Sequence, residues 1–378
     1  MPKRIFIIAG EASGDLHGSN LVKSIKELAK EVEFTGIGGE RMKQAGVRLI
    51  AHCSDMAVVG FTEVLKKAAY IIKIRAKVKD IFEKQTPDLL ILIDYPEFNL
   101  HIAKYAKNIG IPVMYYISPQ VWAWRTGRVK KIKKRVDKMV VILPFEEKFY
   151  KKWDIDAVYV GHPIMDEIPK HIDIDKTKRE LKLESAFPII TLLPGSRMHE
   201  ITNTLPVMVK AAYMLKNEFK GIRANLVLAN SIDKKEIEKY IQHFDFIKIF
   251  PNRNIYECLA ISDLAFVTSG TATLETAIIG TPMIVVYKGS TLSFWIAKAL
   301  VNVKYVSLVN LIAEEKVVPE ILQEELTPQN LTKEALKILN LEELRLKMKQ
   351  KLYLVKEKLG KEGASKRAAE VALRMIGE

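Results

Sequence analysis

LLILIDYPEFN, residues 89–99, decides the architecture. Five consecutive apolar residues read as a strand buried on both faces, as in the interior of a parallel sheet. The run stops at a carboxylate, Asp94, and Pro96 suits the first turn of a following helix. In open α/β sheets, ligands bind beyond the carboxyl ends of the strands, where a side chain at position 94 emerges. Asp94 therefore has two readings. It caps the next helix, the commoner use of such an aspartate, or it is an acid–base group at a ligand crevice.

Similar strands lie on either side of it. RIFIIA (4–9), EFTGIGG (33–39), IPVMYYIS (111–118), VDKMVVILP (136–144) and AVYVGHP (157–163) alternate with helical patterns, among them Leu16 to Lys30, Phe61 to Lys84 and 97–109. Residues 164–187 are polar and charged and read as a linker with a short helix. Alternation restarts with PIITLLPGSR, NLVLAN, IKIF, LAFVTSG and PMIVVY. Beyond Tyr305 no strong strand signal remains, and Thr327 to Ile376 is rich in helix formers. The expected fold class is α/β, with two doubly wound Rossmann-like domains facing across a cleft. The boundaries read as 1–165, 166–340 and a helical extension, 341–378, that packs back on the first domain or on a partner subunit.

At 378 residues, 48% hydrophobic and 28% charged, the chain can build two cores. MPKRIFIIAGEASGD reads as a strand and loop and not as a signal peptide, and no stretch of about twenty apolar residues offers a membrane span. Cys53 and Cys258 form no CxxC pair and read as reduced thiols in a cytoplasmic protein. The net charge of +14 asks for an acidic partner, a phosphorylated ligand or an anionic membrane. No zinc spacing, RNP-like motif or helix-turn-helix signature supports nucleic acid.

Three glycine-bearing loops follow strands. GEASGDLHG (10–18) is neither GxGxxG nor a Walker A loop. With Glu11 and Asp15 in it, the loop suits hydroxyl groups, or a carboxylate that orients a neighbour, better than a phosphate. LLPGSR (192–197) brings backbone N–H groups, the Ser196 hydroxyl and the Arg197 guanidinium to a helix start, a receptor for a diphosphate. SGTATLE (269–275) places Gly270, Thr271 and Thr273 at another helix start, with Glu275 one turn inside to accept ribose hydroxyls. Each loop also has a plain βα-turn reading, but together with Asp94 they point to a nucleotide-sugar enzyme.

Phe61 to Lys84 carries apolar residues at helical spacing, including Val64, Leu65, Ile71 and Ile72, among many lysines. It reads as a core-facing amphipathic helix, as one lying in a membrane interface, or as both in different parts. Trp122 and Trp124, before the cationic run Arg125 to Lys138, read either as packed tryptophans or as an aromatic lip for a lipid-borne substrate.

IAGEASGDLHG, IDYPEFN, YYISPQVWAWR, LPFE (143–146), VGHP, LLPGSR, SGTATLE and YVSLVNLI occur in one order from about residue 4 to about residue 325. Together they resemble lipid-A-disaccharide synthases. The resemblance implies an inverting GT-B glycosyltransferase that joins UDP-2,3-diacylglucosamine to 2,3-diacylglucosamine 1-phosphate at the cytoplasmic membrane surface. The product would be a β-1,6-linked disaccharide, with release of UDP. It implies no cofactor, peripheral attachment to the inner membrane, and a homodimer with exchanged C-terminal parts. The family's proposed base falls on Asp94, its LPGSR arginine on Arg197, its glutamate on Glu275 and its SLxNL asparagine on Asn310. Glu97 stands where the family commonly has aspartate. Residues 61–84 correspond to the family's acyl-binding, membrane-associated region, although Thr62 and Ala68 are less apolar than is usual there.

Displacement at an anomeric carbon needs a base for the acceptor hydroxyl and stabilisation of departing UDP. Asp94 is the expected base, with Glu11 and His17 of the first glycine loop beside it. Arg197, Ser196 and the helix starts would hold the diphosphate without a metal. The Asp-x-Asp pairs at 154/156 and 173/175 lie in charged loops and are discounted as metal sites. Two rival readings are a UDP-N-acetylglucosamine 2-epimerase type of isomerase and a non-catalytic nucleotide-sugar binding protein.

Overall fold

A computed structural model describes residues 2–56, 64–122, 126–289 and 304–378, with backbone only at 64–68 and 126. The chain divides into two compact units. One runs to Asp166 and includes Leu359–Glu378, and the other is Glu167–Lys358.

In the first unit, β1 (Lys3–Ala9), β2 (Val32–Gly38), β3 (Val47–His52), β4 (Leu89–Ile93), β5 (Val113–Tyr116), β6 (Lys138–Val141) and β7 (Ala157–Tyr159) form one sheet. Its order is β3-β2-β1-β4-β5-β6-β7, with every pair parallel. All five residues of β4 are buried, because helices cover both faces of a parallel sheet. One face carries Phe6, Leu90, Leu92 and Val113 against Ile74, Val78 and Phe82 of the helix Val64–Lys84, with Phe6 and Phe82 edge to face at 5.0 Å. The helix Ala12–Leu28 packs against the last helix, Ala364–Met375. That last helix buries Ala364, Ser365, Ala368, Ala369 and Ala372, small residues that let helix axes approach closely.

The second unit holds β8 (Ile189–Leu193), β9 (Arg223–Leu228), β10 (Ile247–Pro251), β11 (Leu264–Thr268), β12 (Met283–Tyr287) and β13 (Glu320–Leu322). Their order is β10-β9-β8-β11-β12-β13, again all parallel. In each sheet the chain runs outward over three strands and then returns to the other side of the first. The topological switch points, where doubly wound sheets bind ligands, are therefore β1/β4 and β8/β11.

Two strands escape the sequence reading. β3 is an edge strand with exposed Arg48 and half-buried Leu49 and Ile50, so its apolar signal is diluted, and β13 has only three residues. The segment expected as one extension, 341–378, is divided. Helix Glu342–Lys358 buries Met348, Leu352 and Val355 within the second unit, and Lys358 Nζ donates to the Ile312 carbonyl at 3.1 Å. The chain then rejoins the first unit, where Arg367 donates to the carbonyls of Val160, Glu362 and Lys361, each at 2.7 Å.

Candidate active site

Asp94 follows β4 directly, next to the end of β1. It does not cap the helix Pro96–Asn108, whose N-cap is Tyr95 with no side-chain cap bond. Asp94 and Tyr95 both adopt left-handed backbone (φ 43° and 48°), as does Ile117 at the end of neighbouring β5 (φ 62°). Such conformations cost about 1–2 kcal/mol per non-glycine residue and gather at functional sites. Gly10, at the end of β1, makes room for this turn. A Cβ there would sit 2.3 Å from Tyr95 Cγ. The Asp94 carboxyl is pushed up to about 6, first by burial and then by the Glu11 charge, with the Tyr95 N–H opposing.

Glu11 is exposed at the start of helix Ala12–Leu28 and caps nothing. Asp15, by contrast, accepts the N–H groups of Gly39 (2.7 Å), Met42 (3.0 Å) and Arg41 (3.1 Å), so this carboxylate of the glycine loop orients a neighbour. Burial lowers His17 to about 4, and its Nδ1 has no hydrogen-bond partner among the described residues. His162 of the VGHP segment falls to about 3 through burial and proximity to His17, and its Nδ1 accepts the Ile164 N–H at 3.2 Å. Both imidazoles are neutral at pH 7. They can hold a hydroxyl but do not supply a proton as imidazolium. Glu97 is exposed and ion-paired with Arg128.

In the second unit, LLPGSR and SGTATLE flank the β8/β11 switch point. Ser196 and Arg197 are exposed, and Gly195 is left-handed (φ 117°), allowing the sharp turn out of β8. Their N–H groups donate to Glu200 Oε2 at 3.0 and 3.3 Å, while Arg197 Nη1 meets Glu200 Oε1 at 3.3 Å. An internal carboxylate thus occupies the donors that the sequence reading reserves for a diphosphate. Gly270 and Thr271 are exposed after β11. Thr273 is buried and its hydroxyl donates to the Gly270 carbonyl at 2.7 Å, so it shapes the turn. Glu275 accepts from Tyr256 Oη at 3.2 Å, and burial raises its carboxyl. Asn310 is buried with its amide spent inside the chain. Its Nδ2 donates to Val318 O and Glu320 Oε1, and its Oδ1 accepts the N–H groups of Val317 and Val318.

A profile of the lipid-A-disaccharide synthetase family matches residues 5–376. The chain is 44% identical over 375 residues to the lipid-A-disaccharide synthase of Syntrophus aciditrophicus, covering 99% of this chain and 98% of the relative. It is 41% identical over 376 residues to that of Geobacter metallireducens, covering 100% and 98%. The chain belongs to the lipid-A-disaccharide synthase family. Like the family, it is a glycosyltransferase of the GT-B fold class. Solved structures share the frame at much lower identity. The UDP-GlcNAc 2-epimerase from Neisseria meningitidis bound to UDP-GlcNAc aligns with TM-score 0.63 at 12% identity, covering 98% of this chain and 100% of that one. The glycotransferase of kitacinnamycin aligns with TM-score 0.65 at 12% identity, covering 99% of each. That likeness concerns the fold alone, and an epimerase is not favoured, because the relatives near 40% identity are synthases.

For a lipid-A-disaccharide synthase, the expected lipid-facing segment takes an instructive form. Side chains of Val64 and Leu65, and all of Trp124, lie outside the described residues. Ile71 packs against the core with Ile74 and Val78, whereas Ile72 is 64% exposed. Trp122 corrects the aromatic-lip reading. It is 9% exposed, stacks edge to face on Phe145 at 4.8 Å, and donates Nε1 to Glu146 at 3.0 Å. Glu146 of LPFE, assigned no role from sequence, is fully buried. It also accepts the Leu143 N–H at 3.0 Å, and burial pushes it up to about 7. Of the Asp-x-Asp carboxylates, Asp154 pairs with Lys133, Asp156 pairs with Lys138 and Asp173 caps a helix.

Proposed function

We propose that this family member transfers the diacylglucosamine of UDP-2,3-diacylglucosamine to 2,3-diacylglucosamine 1-phosphate. The transfer inverts the anomeric centre, forms a β-1,6 link and releases UDP. Asp94 is the general base that takes the acceptor hydroxyl proton as the anomeric C–O bond to UDP breaks. The observation that carries this reading is the Asp94 carboxyl at the switch point, raised to about 6, so that it is ionised yet basic near neutral pH. His17, neutral, orients a sugar hydroxyl. The Ser196 hydroxyl, the guanidinium nitrogens of Arg197 that do not meet Glu200, and the turn at Gly270–Thr271 hold the diphosphate and oppose its growing charge, and Glu275 accepts ribose hydroxyls.

No helix among the described residues is long and apolar enough to cross a membrane. Ile72 and the lysines of helix Val64–Lys84 provide a peripheral contact with anionic lipid. The discriminating experiment is Asp94→Ala. UDP-sugar binding should survive while disaccharide formation falls by about 10²–10⁴, the usual worth of a general base. Full activity in that variant would refute the assignment.

A further inference from the structure

Asp94 is held by more than its place after a strand. Its backbone carbonyl has two lone pairs, and both are taken by side chains. Tyr115 Oη donates at 2.5 Å from β5, and Asn99 Nδ2 donates at 2.6 Å from the first turn of helix Pro96–Asn108. Asn99 Nδ2 also donates to the Ile93 carbonyl at 3.2 Å, closing the junction between strand and helix. The Asp94 N–H reaches the carbonyl of Ile117 at 3.3 Å. Tyr115 is fully buried within the apolar cluster on one face of the sheet. A phenol there carries a desolvation cost that phenylalanine would avoid, and its hydroxyl donates to the Asp94 carbonyl oxygen.

We infer that Asn99 and Tyr115 are positioning residues for the base, a two-donor clamp that holds Asp94 in its left-handed conformation. Without the clamp a non-glycine residue relaxes toward extended backbone. The peptide plane after residue 94 then turns, and the carboxyl leaves its place beside Glu11 at the strand end. Neither side chain touches the reacting atoms. Both act through one carbonyl. The inference rests on Asp94 being the base.

Tyr115→Phe keeps the ring and removes only the oxygen, so the core stays filled, and Asn99→Ala removes the other donor. The measurements are kcat, KM for each substrate, and the acid limb of the pH–kcat/KM profile, for both variants, the double variant and Asp94→Ala. Displacements near 1 Å cost up to about 10²-fold, so each single variant should lose about tenfold or more in kcat with KM within about twofold. The acid limb should move down from about 6 toward the ordinary carboxylate range, because a relaxed Asp94 meets more water. The double variant should lose less than the product of the two singles, because the two donors share one acceptor. If Asp94→Ala is inactive while Tyr115→Phe keeps wild-type kcat and acid limb, the clamp is refuted and the base stands. A lower melting temperature alone, with kcat and limb unmoved, refutes it likewise. If Asp94→Ala keeps full activity, the base assignment itself fails.

Discussion

Glu11→Gln tests the electrostatics of the site. The Asp94 carboxyl stands about two pH units above its ordinary 3.8, with burial the larger cause and Glu11 the second. Burial and Glu11 together outweigh the Tyr95 N–H that opposes them, and Glu11 supplies the smaller share of the rise. Removing its charge makes proton loss from Asp94 easier, so the carboxyl should fall below about 6. A base works only when ionised, so wild-type kcat/KM should decline as pH falls through about 6. At pH 5 about a tenth of the wild-type base is ionised, and a fall of about half a pH unit raises that share to about a quarter. Relative to its own plateau, Glu11→Gln should be at least about twofold more active at pH 5. The assay is kcat/KM from pH 4.5 to 8.5 at fixed ionic strength, with saturating donor and limiting acceptor. An upward move of the limb, or a wild-type limb near 4, would contradict Asp94 as a base raised by burial and by Glu11.

Other predictions concern packing, membrane contact and stability. Gly10→Ala places a Cβ against the Tyr95 ring. It should cost about 1–3 kcal/mol and lower the melting temperature, and disaccharide formation should fall with it. Ile72→Ser should weaken co-sedimentation with anionic vesicles without changing the melting temperature, whereas Ile71→Ser, which packs on the core, should lower the melting temperature. Glu146 is raised from 4.5 to about 7. The folded state therefore binds the extra proton between those values, and this group's contribution to stability falls as pH rises through that window. Glu146→Gln keeps an acceptor for Trp122 and should flatten the change in stability between pH 4.5 and 7, as read by urea titrations. Equal slopes in variant and wild type would contradict the assignment.

The architecture was legible because it rests on burial. β4 is apolar throughout and β8, β11 and β12 nearly so, and helices cover both faces of each sheet, so runs such as LLILI admit few other readings. β3 was not legible. An edge strand needs only half its residues apolar, and Arg48 and His52 interrupt the pattern. Within the site, strand-end residues such as Asp94 and Arg197 stood out because chemistry-bearing types follow apolar runs directly. What those residues bond to was not readable. The two donors on the Asp94 carbonyl come from different elements, and Glu200 reaches back from the third helical position to its own helix start, a capping box masked in the sequence because the N-cap is Arg197 and not serine or threonine. Trp122 and Asn310 show the converse. Both lie in family motifs, yet the structure spends their polar groups on buried partners, Glu146 for one and the 317–320 segment for the other.

Product analysis by mass spectrometry separates sugar transfer from isomerisation and from hydrolysis. Purified protein is mixed with UDP-2,3-diacylglucosamine and 2,3-diacylglucosamine 1-phosphate, with Asp94→Ala in parallel. The expected product is one new lipid, whose mass is that of the two substrates together less UDP, formed by the wild type and lost in the variant. An isomerised UDP-sugar of unchanged mass, or hydrolysis to UDP and free sugar with no disaccharide, would contradict it.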